Sequence, residues 1–279
     1  MYRRTLGRRE FLTTSAGSFF ALHLFEESLG SAPAPPQRAI ANLGTSVAQA
    51  SGKPAKPRIR GLRLKTHVLS ELKTFYSTEF KFPIVAETPT SVSFDAGQTR
   101  LEFEQVTDGT KPYYHFAFNI PENKLDQARE WLAERVPILR HAQTGNEVIH
   151  FAHWNAHSVF FYDPAGNLGE LIARHTLPNA AEGAFDHRDI LYASEIGIVP
   201  PDQERVFADI RESLQIQPYL ESNTFLGDEY GILIVIPQQR LWIPEFKKTG
   251  MLAPTRINVS GHGGRKVKFP DYSIEILSE

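Results

Sequence analysis

The chain has 279 residues, with 30 lysines and arginines against 32 aspartates and glutamates, and no cysteine. A formal net charge of −2 without a basic block gives no support for nucleic-acid binding. Because cysteine is absent, there is no disulfide framework and no thiolate ligand. Any metal must therefore be held by histidine, aspartate or glutamate, by backbone oxygen or by water.

The first 30 residues have the pattern of an export signal. Arg8 and Arg9 precede Phe11 and a mildly apolar run that ends near Phe25. The run is too short and too interrupted to span a bilayer, and the arrangement resembles the twin-arginine signal. The resemblance implies a signal peptide over residues 1–30, a periplasmic or extracellular location, and no membrane segment after signal removal. An amphipathic N-terminal helix is the alternative.

The stretch after the signal differs in composition from the rest of the chain. Residues 31–57 are rich in proline, alanine, serine and glycine, which is typical of a flexible tether. The residues that follow are sufficient for one large domain or two small ones.

Helix and strand signals then recur in the same order three times. The first round has a strand over 58–65, a helix over 68–79 and strands over 83–94 and 99–106. The second has a strand over 113–120, a helix over 125–135 and strands near 137–141, 147–150, 157–162 and 168–174. The third has a strand over 194–199, a helix over 202–214 and strands over 219–226, 231–237, 255–260 and 272–277.

This order predicts an α+β fold of repeated βαβββ modules that form a cupped mixed sheet. We expect a domain of two paired modules over 58–175 and a diverged third module over 190–279. Burial of the apolar strand faces demands a partner, so a homodimer is a further possibility.

Two strands of the second module place polar side chains on one face. Alternation along its first strand sends Phe116 and Phe118 to one face and His115 to the other. Along its last strand, Glu170 and Arg174 share a face. We therefore expect His115 and Glu170 to line one cup, where a metal or a small ligand could contact both.

The element order and the segment Phe160-Phe-Tyr-Asp-Pro-Ala-Gly-Asn-Leu-Gly-Glu-Leu171 resemble the vicinal oxygen chelate superfamily. That superfamily includes glyoxalase I, bleomycin-resistance proteins and extradiol dioxygenases. The resemblance covers 58–175 well, and the C-terminal third only as a diverged module. It implies a divalent metal bound by the first and last strands of each module, with ligand positions at His115 and Glu170.

The sequence leaves two glutamates as candidates for the third metal ligand. Glu102 and Glu104 share the polar face of the first module's last strand, and the Leu-Glu-Phe setting favours Glu102. The first-strand position of that module falls at Ile59, Arg60 or Gly61, none of which is a usual metal ligand. One histidine and two carboxylates suit a divalent ion such as Zn, Mn, Fe or Ni. This donor set differs from that of the non-haem iron oxygenases, which use two histidines and one carboxylate.

A second histidine is a candidate for chemistry at the same cup. His157 opens a strand beside that of Glu170, where it could act as a ligand or as a general base. A hydrogen-bonded or surface histidine is the alternative for His157.

These residues support two functions. The first is a metal-dependent enzyme, of the lyase, isomerase or dioxygenase kind, that acts on a small substrate through vicinal oxygens. The second is a metal-free protein that sequesters a small molecule, as bleomycin-resistance proteins do. A mainly structural role for the C-terminal module is a third possibility.

Overall fold

The computed structural model describes residues 57–261 and 263–278. The predicted export signal and the tether up to residue 56 lie outside these residues. Within the described part of the chain, no helix has the length and apolar character needed to cross a bilayer.

The first two modules follow the predicted order. The first contains β1 (Arg58–Thr66), α1 (Leu69–Thr74) with a π-helical turn (Phe75–Glu79), β2 (Ile84–Thr88), β3 (Ser91–Ala96) and β4 (Thr99–Gln105). The second contains β5 (His115–Ile120), α2 (Leu125–Ala133), β6 (Ile149–Phe151), β7 (Ala156–Tyr162) and β8 (Leu168–Arg174). In each module the first strand runs parallel to the last. The predicted α+β class with repeated βαβββ modules is confirmed.

The C-terminal third is divided between two sheets. It contains β9 (Tyr192–Ile198), α3 (Gln203–Leu214), β10 (Phe225–Asp228), β11 (Gly231–Val235), β12 (Thr255–Ser260), β13 (Lys266–Phe269) and β14 (Ile274–Ser278). Strands β9 to β11 join the second module, and β12 to β14 join the first. The diverged third module is therefore two reduced modules, one with a helix and one without.

Each sheet has seven strands, in the orders β13-β14-β12-β1-β4-β3-β2 and β10-β11-β9-β5-β8-β7-β6. At the centres, β1 runs antiparallel to β12, and β5 runs antiparallel to β9. The first two modules thus lie in different sheets, which differs from the expected pairing of these modules with each other. Each first strand has one open edge whose backbone groups need partners, and a later strand satisfies them as well as a neighbouring module would.

The helix-facing sides of both sheets share one hydrophobic core. Leu62 of the first sheet and Phe116 of the second belong to the same buried cluster. The backbone N–H of Ala193 also donates to the hydroxyl of Thr99 across the sheets at 2.9 Å. The two sheets are consequently joined by one shared cluster.

Helix α3 shows how local sequence sets an element. The Asp202 side chain accepts from the backbone N–H of Arg205 at 3.1 Å and caps the N-terminus. Val206, Ile210 and Leu214 are buried at intervals of four residues, so one face packs on the core.

Three predicted strands differ in the structure. The strand over 83–94 is broken into β2 and β3, because Pro89 has no N–H to donate and a turn forms there. Around 137–141, only Ile138 forms an isolated bridge. The strand over 219–226 starts with a 3₁₀ turn, Tyr219–Glu221, and is regular only in β10.

Candidate metal centre

Three ionisable side chains meet on the face of the second sheet that is turned away from the shared core. Ala117 on β5 is paired with Glu170 on β8 and with Glu195 on β9. It therefore has a carboxylate on either side, and His115, two residues earlier, points to the same face. His115, Glu170 and Glu195 have exposed fractions of only 5%, 3% and 2%.

The three groups converge without an ordinary hydrogen bond between them. His115 Nε2 lies 3.5 Å from Glu170 Oε2 and 3.9 Å from Glu195 Oε2. Both distances exceed the range of about 2.7–3.2 Å for an N–H···O bond. One ligand atom from each residue lies within 4.8 Å of the other two. The arrangement leaves a space bordered by one imidazole and two carboxylates.

His115 presents a lone pair to this space. Its Nδ1 lies 3.1 Å from the carbonyl oxygen of Leu168, which can only accept, so we assign the proton to Nδ1. Burial lowers the pKa of His115 to about 4, although the Leu168 bond opposes this shift. The charge of Arg240 lowers the pKa further. At neutral pH the ring is uncharged and Nε2 is free to act as a ligand.

The two glutamates are difficult to ionise together. Burial raises the pKa of Glu170 well above its usual value, and the charge of Glu195 raises it further. The Ser158 hydroxyl and Arg174 act against this rise, although Ser158 Oγ has no partner in good hydrogen-bond geometry. Burial also raises the pKa of Glu195, against the charge of Arg174. A cation in the space would offset both penalties.

Arg174 neutralises one of the two carboxylates. Its guanidinium, with no exposed surface, forms an ion pair with Glu195. Its Nε donates to Asn119 Oδ1 at 3.2 Å, and it lies 5.4 Å from the centre of the Trp154 ring. The orientation of Glu195 is thereby set by a buried cation, whereas Glu170 forms no ion pair with a lysine or arginine of the described residues.

The connection 237–254, between β11 and β12, covers the centre. The Trp242 ring lies 4.8 Å from the ring of His115. Gly197 makes room for it, because a Cβ at this position would lie 2.9 Å from the indole. The side chain of Trp242 thus shields the centre from water.

The donor set fits a divalent ion. Metal–nitrogen and metal–oxygen bonds of about 2.0–2.2 Å place two ligand atoms roughly 3–4 Å apart. The distances of 3.5 and 3.9 Å from His115 to the two carboxylates fall in this range. One imidazole and two carboxylates suit Zn, Mn, Fe(II) or Ni.

Glu102 and Glu104 are not part of this centre. Both lie on β4 in the other sheet, where Glu102 contacts Arg63 at 3.0 Å and Glu104 contacts Lys65 at 2.7 Å. The expectation that one of them completes the ligand set is corrected, because the first module pairs with β12 and both glutamates lie in the sheet that does not contain His115. Glu195 takes that place.

His157 also faces away from the centre. Along β7, Ala156 and Phe160 contribute to the face that carries Glu170, and His157 alternates with them. Its Nδ1 lies 2.9 Å from Nε2 of His175. The structure therefore does not bring His157 to the cavity where a general base was expected.

Glu195 is the residue that sequence reasoning missed. It stands near the start of the third round's first strand, which is the position that His115 holds in the second round. Applying the same first-strand rule to the third round makes Glu195 a candidate, but the pairing of β9 with β5 is what brings it to His115.

The structure is similar to several solved structures at low sequence identity. A candidate dioxygenase from Bacillus subtilis matches 81% of this chain and 86% of its own, with 14% identity and a TM-score of 0.51. A glyoxalase I variant from Zea mays matches 80% and 93%, with 14% identity and a TM-score of 0.47. A glyoxalase/bleomycin resistance protein/dioxygenase from Nocardioides matches 49% and 95%, with 20% identity and a TM-score of 0.36. No protein-family model and no curated protein matches the sequence.

Proposed function

We propose, from the vicinal oxygen chelate fold that the chain shares with these glyoxalase- and dioxygenase-type structures, that it is a divalent-metal enzyme for a small oxygenated substrate. The convergence of His115, Glu170 and Glu195 in a buried space carries this proposal. We assign the substrate contact to two vicinal oxygens, as the fold suggests.

The residues of the chain have distinct parts in this proposal. A divalent ion bound at the centre supplies polarisation of two neighbouring substrate oxygens and stabilises negative charge on them. The Leu168 carbonyl orients His115, and Arg174 orients Glu195. Trp242 excludes water. Since Trp242 lies against His115, the connection 237–254 has to move for a substrate to enter.

A second function is favoured by the aromatic wall of the same cup. Trp154 packs edge-on against Phe225 at 5.0 Å and against Tyr219 at 5.7 Å. Aromatic walls suit a flat organic ligand. A metal-free protein that sequesters such a molecule is the alternative.

Export is the location that the N-terminal pattern supports. Arg8 and Arg9 stand before the mildly apolar run, as in twin-arginine signals. Replacing both by lysine should abolish export to the periplasm, measured by fractionation and immunoblotting. Export that persists in this variant would contradict the assignment.

The need for a second copy of the chain is a separate question. All three ligands of the centre come from one chain. The homodimer considered from the sequence is therefore not required for the proposed chemistry, and light scattering would measure it.

Metal content tests the enzyme proposal. Tag-free protein is incubated with Zn, Mn, Fe(II) or Ni, desalted and analysed by inductively coupled plasma mass spectrometry. We expect His115→Ala and Glu195→Gln each to retain about one equivalent less than the unchanged protein. Glu102→Gln is the matched control, because it makes the same change on the other sheet and should keep the metal.

Two results would decide against the enzyme. Equal metal content in the unchanged protein, His115→Ala and Glu195→Gln would favour the metal-free cup. Loss of metal in Glu102→Gln would show that His115 and Glu195 do not define the site. If metal is retained, dicarbonyl and catechol compounds are assayed, and we expect turnover in the control but not in His115→Ala. Far-UV circular dichroism confirms that each variant is folded.

A further inference from the structure

A separate row of three imidazoles lies at the edge of the second sheet. His150 on β6 is paired directly with His157 on β7, and their rings stack 4.3 Å apart with 9° between planes. Nε2 of His175, the residue after β8, lies 2.9 Å from Nδ1 of His157. His150 is exposed, and the other two are partly exposed. These three residues are called the histidine row below.

Glu122 orients one member of the row. Its Oε2 lies 3.1 Å from Nδ1 of His175. Because an ionised carboxylate accepts, Nδ1 carries the proton and Nε2 of His175 has a lone pair that faces His157. A carboxylate that holds the far nitrogen of an imidazole is the arrangement that orients metal-bound histidines.

We propose that the histidine row is a second metal site, for a divalent transition ion of the kind that imidazole prefers: Zn²⁺, Cu²⁺ or Ni²⁺. Two nitrogens that share one such ion, with bonds of about 2.0–2.1 Å, lie roughly 3.0–3.4 Å apart. The two nitrogens of His157 and His175 lie 2.9 Å apart and the ring centres 5.1 Å apart, so the nitrogens face each other nearly head-on. Both rings have to turn, and the nitrogens have to separate slightly, for the two lone pairs to meet at one ion.

Binding moves one proton within the row. Without an ion, His157 donates its Nδ1–H to His175. With an ion, His157 carries its proton on Nε2 and both facing nitrogens are ligands, so the ring stays neutral and no charge is created on it. His150 is exposed and can turn out of its stack to add a third nitrogen, and water completes the coordination.

This site is independent of the proposed enzymatic centre. His157 and Glu170 point to opposite faces of the second sheet, because Phe160, which is paired with Glu170, alternates with His157 along β7. Removing one site should leave the other intact, so the two proposals can fail separately.

The test uses tag-free, full-length protein in a His115→Ala background, which removes the buried centre. Isothermal titration with Zn²⁺, Ni²⁺ or Cu²⁺ should show one equivalent. Adding His157→Ala or His175→Ala should weaken binding at least tenfold, and Glu122→Gln should weaken it by roughly tenfold. His153→Ala, which removes an exposed histidine between β6 and β7, should change nothing.

Binding that is unchanged by His157→Ala and His175→Ala, or weakened equally by His153→Ala, overturns the proposal. If the His115→Ala background does not fold, electron paramagnetic resonance of Cu²⁺ on the otherwise unchanged protein decides. Hyperfine coupling to two or more imidazole nitrogens that is lost in His157→Ala supports the site. A spectrum that is the same in both proteins overturns it.

Discussion

Asp163 organises the turn before β8 and ties it to the first module. Its carboxylate accepts from the backbone N–H groups of Ala165 at 2.9 Å and Asn167 at 3.0 Å. It also accepts from the side-chain amide of Asn167 and from the hydroxyl of Tyr76, which belongs to the π-helical turn of the first module. Its Asp-Pro-Ala-Gly sequence is typical of a type I turn, and the contact between modules is an additional role.

The Asp163 carboxyl should make stability depend on pH. Burial raises its pKa to about 6 from a usual 3.8, although its hydrogen bonds oppose the shift. The folded state therefore binds more protons between these values, so the stabilisation is complete below about pH 4 and lost as pH rises through about 6. Relative to Asp163→Asn, the free energy of unfolding should fall by roughly 2–3 kcal/mol between pH 4 and pH 7. Urea unfolding at both pH values measures this, and an equal pH dependence of both proteins would contradict it.

The absence of a side chain at Gly169 makes room for a buried ring. A Cβ there would lie 2.3 Å from the ring of Phe161. Phe161 is fully buried, and its ring centre lies 5.2 Å from that of Phe80. Gly169→Ala should therefore destabilise the fold by roughly 1–3 kcal/mol.

The control for this change is Gly61→Ala on β1, where the nearest atom would be 3.4 Å away. It should change the free energy of unfolding by less than about 0.5 kcal/mol. Denaturant midpoints at constant m value measure both variants. Similar effects of the two would show that the Phe161 contact is not the cause.

A β-bulge decides which face Glu195 occupies. Asn119 is paired with Tyr192 and Phe118 with Ala193, so a regular ladder would place Ser194 opposite Ala117. The register shift brings Glu195 there instead, on the face of the buried centre. A single extra residue thus turns a carboxylate from the core side to the site.

The connection 237–254 is the element that controls access to His115. An aromatic pair is worth about 0.5–1.5 kcal/mol, so removing the Trp242 ring should make local opening roughly 2- to 13-fold more frequent. We expect Trp242→Ala to speed the reaction of His115 with diethylpyrocarbonate by this factor, measured by peptide mass spectrometry. Trp242→Phe, which keeps a ring, should react at close to the original rate. An unchanged rate in Trp242→Ala would show that another segment closes the site.

At the scale of the whole molecule, the first sheet combines strands that are far apart in the sequence. Strands β1 to β4 come from the N-terminal part of the described residues, and β12 to β14 come from the C-terminal part. The middle of the chain forms the second sheet, and one core joins both. The two sheets should therefore unfold together.

A change in one sheet can test this cooperativity with a probe in the other. All three tryptophans, Trp131, Trp154 and Trp242, belong to α2 or to connections around the second sheet. Ile257 is fully buried on β12 of the first sheet. Replacing it by alanine should lower the free energy of unfolding by roughly 2–5 kcal/mol. Tryptophan fluorescence and far-UV circular dichroism should show the same lowered midpoint.

Asn258→Ala, next to Ile257 on the more exposed face, is the control and should shift the midpoint little. A fluorescence midpoint that stays in place while the circular dichroism midpoint falls would show that the sheets unfold independently.

The sequence alone determined the features that depend on neighbours along the chain. The βαβββ order of the first two modules follows from the periods of their apolar residues. The shared face of His115 and Glu170 follows from strand alternation, since the two strands belong to one module whose last strand returns beside its first.

Only the tertiary structure decided which distant strands share a sheet. The antiparallel pairing of β5 with β9 and its bulge bring Glu195 to His115, while the pairing of β1 with β12 keeps Glu102 and Glu104 in the other sheet. Periodicity reports the face on which a residue lies, which is a local property. The partner of a strand edge is set by packing over the whole core, because many strands can satisfy the same backbone groups.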